Sequence, residues 1–117
     1  MSHTATMDLK MVNKKAVLNT AKNLGLRTHV GVNKLFSTKE EGIGVYLEGW
    51  RYPIVIREDG TVAYDNYNGN WGKIEELEKF RNRYTREVAE ITARKRGYKI
   101  QERKENGKTI LKLTKFS

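Results

Sequence analysis

The chain has 117 residues, 38% hydrophobic and 32% charged, with one proline and no cysteine. That length fits a single domain with one core. The lack of cysteine excludes disulfides, thiolate nucleophiles and thiolate metal ligation. The formal charge is +9 and uneven: residues 1–36 carry +5, 37–70 carry −3, 71–97 carry +3 and 98–117 carry +4. Basic ends around an acidic middle raise encounter rates with polyanions or acidic protein surfaces. The start, MSHTATMDLK, has no basic region followed by an apolar run, so it does not read as a signal peptide. No apolar stretch approaches the roughly 20 residues of a membrane span. The expectation is one soluble, cytoplasmic domain over 1–117.

Met7, Leu9 and Met11 alternate with Asp8 and Lys10, the pattern of a half-buried first strand. Asn13 is an N-cap residue type and opens a helix whose apolar face is Val17, Leu18, Ala21 and Leu24. Leu24-Gly25-Leu26 supplies its stop. A second strand follows at 27–32, with Val30 and Val32 on one face and His29 on the other. Residues 33–41 read as loop. Ile43, Val45 and Leu47 alternate as a third strand, and Ile54-Val55-Ile56, apolar on both faces, reads as a central fourth. Asp59-Gly60 gives a two-residue hairpin turn into Thr61–Asp65, with positive φ expected at both positions.

The longest pattern is Trp71 to Gly97. Ile74, Leu77, Phe80, Tyr84, Val88 and Ile91 form one helical stripe, and Glu75, Lys79, Arg83, Arg86, Glu87, Glu90 and Arg94 face water. Glu75–Lys79 and Glu90–Arg94 are spaced as ion pairs. The chain closes with a hairpin, Tyr98–Glu105 and Lys108–Phe116, about the turn Asn106-Gly107. Pairing Glu105 with Lys108 puts Tyr98, Ile100, Leu111 and Leu113 on one face. Lys99, Gln101, Arg103, Lys108, Lys112 and Thr114 then fall on the other. The order β-α-β-β-β-β-α-β-β, built on hairpins, predicts an α+β fold: a two-layer, mostly antiparallel sheet with two helices on one face and the other face uncovered.

Ser2-His3, Leu24-Gly25, Trp71-Gly72, Asn82-Arg83-Tyr84, Gly97-Tyr98 and the Asn106-Gly107 hairpin together resemble the hypothetical chloroplast reading frame thirty-five family, also called domain of unknown function twelve-fifty-seven. The likeness covers most of the chain, with 33–52 the poorest match. It implies a small α+β domain of the kind found in cyanobacteria, algal plastids, other bacteria and phages, with no activity attached. Family genes often lie beside a ring-forming AAA-type ATPase, so the resemblance implies such an ATPase as a protein partner.

No catalytic constellation stands out, and no cofactor is expected. His3 and His29 are the only histidines, and they could share a metal only if the first two strands paired. Glu48, Glu58, Asp59 and Asp65 lie among the hairpins. Asp65 has the most suggestive setting, near Tyr64, Tyr67 and Trp71, although a turn or capping role also suits it. Gly42-Ile43-Gly44 and Asn68-Gly69-Asn70-Trp71-Gly72 lack phosphate-loop spacing. The second precedes a helix N-terminus, where free amides could hold an anion.

Two binding readings remain. Trp50, Arg51, Tyr52, Tyr67 and Trp71 are of the types enriched at protein-interface hot spots. The first reading is therefore a non-enzymatic adaptor or regulatory module that binds another protein. Arg94, Lys95, Arg96, Lys99, Arg103, Lys108 and Lys112 could instead bind RNA or DNA by releasing counterions from phosphates. The basic ends and acidic middle would also allow self-association.

Overall fold

The computed structural model describes residues 4–115, apart from the side chain of Leu113. It is α+β, with elements in the expected order: β1 (Ala5–Asp8), α1 (Lys14–Asn23), β2 (Thr28–Lys34), β3 (Lys39–Val45), β4 (Ile54–Ile56), β5 (Thr61–Tyr64), α2 (Ile74–Lys95), β6 (Tyr98–Glu105) and β7 (Lys108–Lys115). A short 3₁₀ turn, Tyr67–Gly69, precedes α2. β1 to β5 form one antiparallel sheet in the order β1-β5-β4-β3-β2, so β4 is central, as its two-sided apolar sequence demands. β6 and β7 form a separate two-stranded sheet and do not extend the first.

Local chemistry explains most boundaries. Asn13 Oδ1 accepts from the Ala16 amide at 3.0 Å and starts α1. Its end is stapled by Leu26 N–H to Ala21 O (2.8 Å) and Gly25 N–H to Lys22 O (3.1 Å), the paired bonds of a Schellman motif. Leu18 is 40% exposed, so the buried face of α1 is Ala16, Val17, Thr20 and Ala21. The first strand stops at Asp8, earlier than alternation suggested. Lys10 takes φ 53° and its amide turns back to Asp8 Oδ1, which drops Met11 into the core as a loop residue. α2 begins at Ile74, leaving Trp71 in the preceding loop.

Ile43, Val45, Ile54, Ile56 and Val62 of the sheet pack against Ala16, Val17 and Ala21 of α1 and Leu77, Phe80 and Tyr84 of α2. Tyr84 also accepts the Asn13 amide on its hydroxyl at 3.1 Å, fixing the start of α1 to the middle of α2. Glu87, expected in water, is buried between the helices, where it accepts from Asn23 Nδ2 (2.8 Å) and Arg83 Nε (3.2 Å). The ion pairs along α2 are Arg83–Glu87 and Arg86–Glu90, in place of Glu75–Lys79 and Glu90–Arg94.

The second face of the sheet, expected to be uncovered, is partly covered by the chain's own β2–β3 hairpin. β2 and β3 run on through residues expected to be loop, joined by a four-residue turn closed by Leu35 N–H to Thr38 O at 2.8 Å. The end of this hairpin folds back across the sheet. Leu35 is fully buried against Val55, Ala63 and Tyr52, and Thr38 Oγ1 lies 3.1 Å from Thr4 Oγ1, beside the opposite edge strand. Arg57 holds it there, reaching Glu40 at 2.6 and 3.3 Å, Thr6 at 3.2 Å and Thr61 at 3.4 Å. Glycine permits the close approach: a Cβ at Gly42 would overlap the Ile56 carbonyl, and one at Gly44 would overlap Asn33. On the helix side the layer stops short of β2, whose Val30 and Val32 are exposed.

Candidate functional site

Asn106 and Gly107 take φ of 51° and 76°, the two left-handed positions that make a type I′ turn and match ribbon twist. They set the register Glu105↔Lys108 outward to Tyr98↔Lys115. Eight residues per strand give an arm about 26 Å long. One face carries Lys99, Gln101, Arg103, Lys108, Lys112 and Thr114, as the sequence indicated, and also Glu105 and Ile110, which that reading left out. At the base of the other face, Tyr98 and Ile100 are half-buried. There Glu102 meets Arg86 of α2 at 2.7 Å.

Past that anchor the ribbon leaves the body. Every residue from Gln101 to Lys112 is exposed, and the molecule measures 56 × 31 × 23 Å. Its radius of gyration is 15.6 Å, against about 13 Å for a compact chain of this size. The hairpin is therefore a projecting arm and not part of the sheet that the helices cover. Among the described residues its two carboxylates are paired, Glu102 with Arg86 and Glu105 with Arg103 at 3.1 Å. Lys99, Lys104, Lys108, Lys112 and Lys115 have no carboxylate partner there. Arg94, Lys95 and Arg96 are exposed at the shoulder, where α2 ends.

The second cluster lies at the other end of α2, a helix of 22 residues and so about 33 Å long. Tyr67 stacks on Trp71 with centroids 4.8 Å apart, and Phe36 and Tyr52 approach Trp71 at 5.1 and 5.6 Å. The Arg51 guanidinium sits 5.2 Å over Trp71 and 5.9 Å over Tyr52. Tyr67 is 39% and Phe36 49% exposed. Phe36 arrives with the folded-back hairpin, and the sequence signal for it was one apolar ring in a polar stretch. Trp50 does not belong to this surface. It is buried in the main core, donates Nε1–H to Lys73 O at 3.0 Å and packs on Gly72.

The acid–base and metal candidates are not brought together. His29 is exposed on β2, and β1 and β2 are opposite edges of the sheet, so the pairing that would join the histidines does not form. His3 lies outside the described residues. No group of three His, Cys, Asp or Glu side chains converges among the described residues. Asp65 is fully buried, and its Oδ1 accepts the Tyr67 amide at 3.3 Å, a turn role. Glu48 is exposed, and Glu58 is an exposed partner of Lys14 at 3.9 Å.

Asp59 is also exposed, and only Gly60 of its turn takes positive φ, 88°. Gly60 N–H to Arg57 O and Arg57 N–H to Thr61 O make a three-residue bulged hairpin. The Thr61 hydroxyl and amide donate to the Asp59 carboxylate and hold it below the ordinary carboxylate range. Hydrogen bonding to Glu40 holds the Arg57 guanidinium above its ordinary value. The loop before α2 is a braced turn: Trp71 N–H reaches Asn66 O at 2.9 Å, and Asn66 Nδ2 donates to Gly72 O at 3.3 Å.

Among the described residues no helix is long and apolar enough to cross a membrane. In comparisons with known proteins, no family model, no curated protein and no solved structure matches this chain.

Proposed function

We propose that this protein is a non-enzymatic nucleic-acid-binding module that works through the β6–β7 arm. The observation that carries this reading is a net-basic ribbon exposed from Gln101 to Lys112 and standing clear of the core. A lone two-stranded ribbon is marginally stable in water, so an arm exposed along both strands gains order when a partner surface covers it. Five lysines that lack a carboxylate partner among the described residues, next to Arg94-Lys95-Arg96, give it the charge to displace counterions from a phosphate backbone. The test is fluorescence anisotropy with labelled DNA and RNA oligonucleotides, comparing the native chain with a Lys99→Glu/Lys108→Glu/Lys112→Glu variant of unchanged circular dichroism. The reading expects binding that weakens at least about 100-fold in the variant. Equal affinity in the two proteins would remove it.

A second reading rests on the Phe36–Tyr52–Tyr67–Trp71 surface with Arg51 across it, which has the composition of a protein-binding hot spot. The family resemblance supplies an AAA-type ATPase as its partner. Co-purification of such an ATPase, lost on combined Phe36→Ala and Tyr67→Ala in a folded variant, supports this reading. Co-purification that survives the change opposes it.

A further inference from the structure

We infer that the arm is a major-groove reader of duplex DNA, with the Lys99–Gln101–Arg103–Lys112–Thr114 face turned toward the base edges. This rests on the nucleic-acid reading above and narrows its ligand. Three observations converge on it.

The first is shape. The arm is two paired strands, about 4.8 Å apart, free of the body beyond Glu102. The major groove of B-form DNA is about 12 Å wide and admits a two-stranded ribbon. The corresponding groove of A-form RNA is deep and too narrow for one.

The second is the chemistry of the outward face. Its cross-strand rows are Lys99·Thr114, Gln101·Lys112, Arg103·Ile110 and, at the turn, Glu105·Lys108. Lysine and arginine donate to guanine O6 and N7, glutamine pairs with adenine N6 and N7, and an aliphatic side chain meets the thymine methyl. Readers of single strands rely on aromatic side chains that stack on bases. Among the described residues this face carries none: the ribbon's one aromatic there, Tyr98, is on the opposite side and half-buried at the base.

The third observation selects the face. The other side is committed at its base to α2 through Tyr98, Ile100 and the Glu102–Arg86 pair. Only the outward side can enter a groove along its whole length. Arg94, Lys95 and Arg96, two to four residues before β6, then stand where the flanking phosphates pass. Lys104, Lys108 and Lys115 add cations along the ribbon. Glu105 lies 3.1 Å from Arg103 and directly opposite Lys108 across the turn, so a cation stays beside it when Arg103 turns to a base.

The experiment is competition anisotropy on the full chain, using a 20-bp DNA duplex, an RNA duplex of the same sequence, the single strands and heparin at 50 and 200 mM NaCl, with dimethyl sulfate footprinting of the DNA complex. The DNA duplex should bind about tenfold or more tightly than the RNA duplex or either strand. Six phosphate contacts predict a loss of about 10³-fold between the two salt concentrations. Guanine N7 atoms should be protected. Gln101→Ala and Lys112→Met, both at exposed positions, should weaken DNA binding while Gln101→Ala leaves heparin binding unchanged. If RNA, single strands and duplex DNA compete equally, or N7 stays reactive, the major-groove inference is overturned while the broader nucleic-acid reading stands. If no nucleic acid binds, both fall.

Discussion

Arg57→Met breaks the contact that folds the β2–β3 hairpin over the sheet. The Arg57 guanidinium reaches Glu40 at 2.6 and 3.3 Å and two threonine hydroxyls on β1 and β5. The pair is partly shielded, with side chains 29% and 19% exposed. Exposed ion pairs are worth about 0–1 kcal/mol, and stripping one partner from a fully buried pair costs about 3–5 kcal/mol. A position between these limits gives about 2 kcal/mol. In a domain of this size that lowers the melting temperature by roughly 8 °C. A double-mutant cycle with Glu40→Gln, measured by urea denaturation, should show about 1–2 kcal/mol of coupling. The Leu35 methyl resonances should move at the same time, since Leu35 packs beneath the clamped hairpin. Additive effects, or an Arg57→Met change within about 0.3 kcal/mol of zero, would show that this contact does not hold the hairpin down.

Trp50 and Tyr67, equivalent by residue type, should separate sharply: Trp50→Ala costs about 3–5 kcal/mol on chemical denaturation, while Tyr67→Ala costs about 1 kcal/mol or less. Gly44→Ala should destabilise strongly, because the added methyl overlaps the buried Asn33 side chain, and co-substitution with Asn33→Gly should recover much of the loss in thermal melts. Asp59 has a lowered folded-state pKa, caused first by the Thr61 hydroxyl. Its contribution is therefore complete above the ordinary carboxylate value of about 4 and is lost as pH falls through the lower folded value. A carboxyl NMR titration should place its midpoint below the ordinary value, and Thr61→Val should shift it back up.

The elements that local chemistry dictates were readable from the chain. Asn13, Gly25 and Asn106-Gly107 each act through their own backbone or the next turn, so residue type alone reveals them. The α2 stripe and the two-sided apolar character of β4 were equally plain, because burial on one face or two leaves a period. What was hidden depends on long-range closure. The fold-back of the β2–β3 hairpin turns on Gly42 and Gly44 passing under Ile56 and Asn33, and nothing near them in sequence announces those neighbours. The fold-back also brings Phe36 within 5.1 Å of Trp71 and buries Leu35. Trp50 and Trp71 looked alike because composition cannot distinguish a ring under Gly72 from a ring beside Tyr67. The alternation of β6 and β7 fixed which residues share a face, yet it could not show that only the base of that face touches α2.

The most direct test of the arm as the working surface is residue-resolved. In ¹H–¹⁵N spectra of the full chain titrated with a 20-bp DNA duplex at low salt, the amides of Lys99 to Lys112 and of Arg94 to Arg96 should shift, together with the Gln101 side-chain amide. Phe36, Tyr52, Tyr67 and Trp71, about 33 Å away along α2, should stay in place. Shifts confined to that aromatic cluster, or an arm unmoved by saturating duplex, would contradict the proposal.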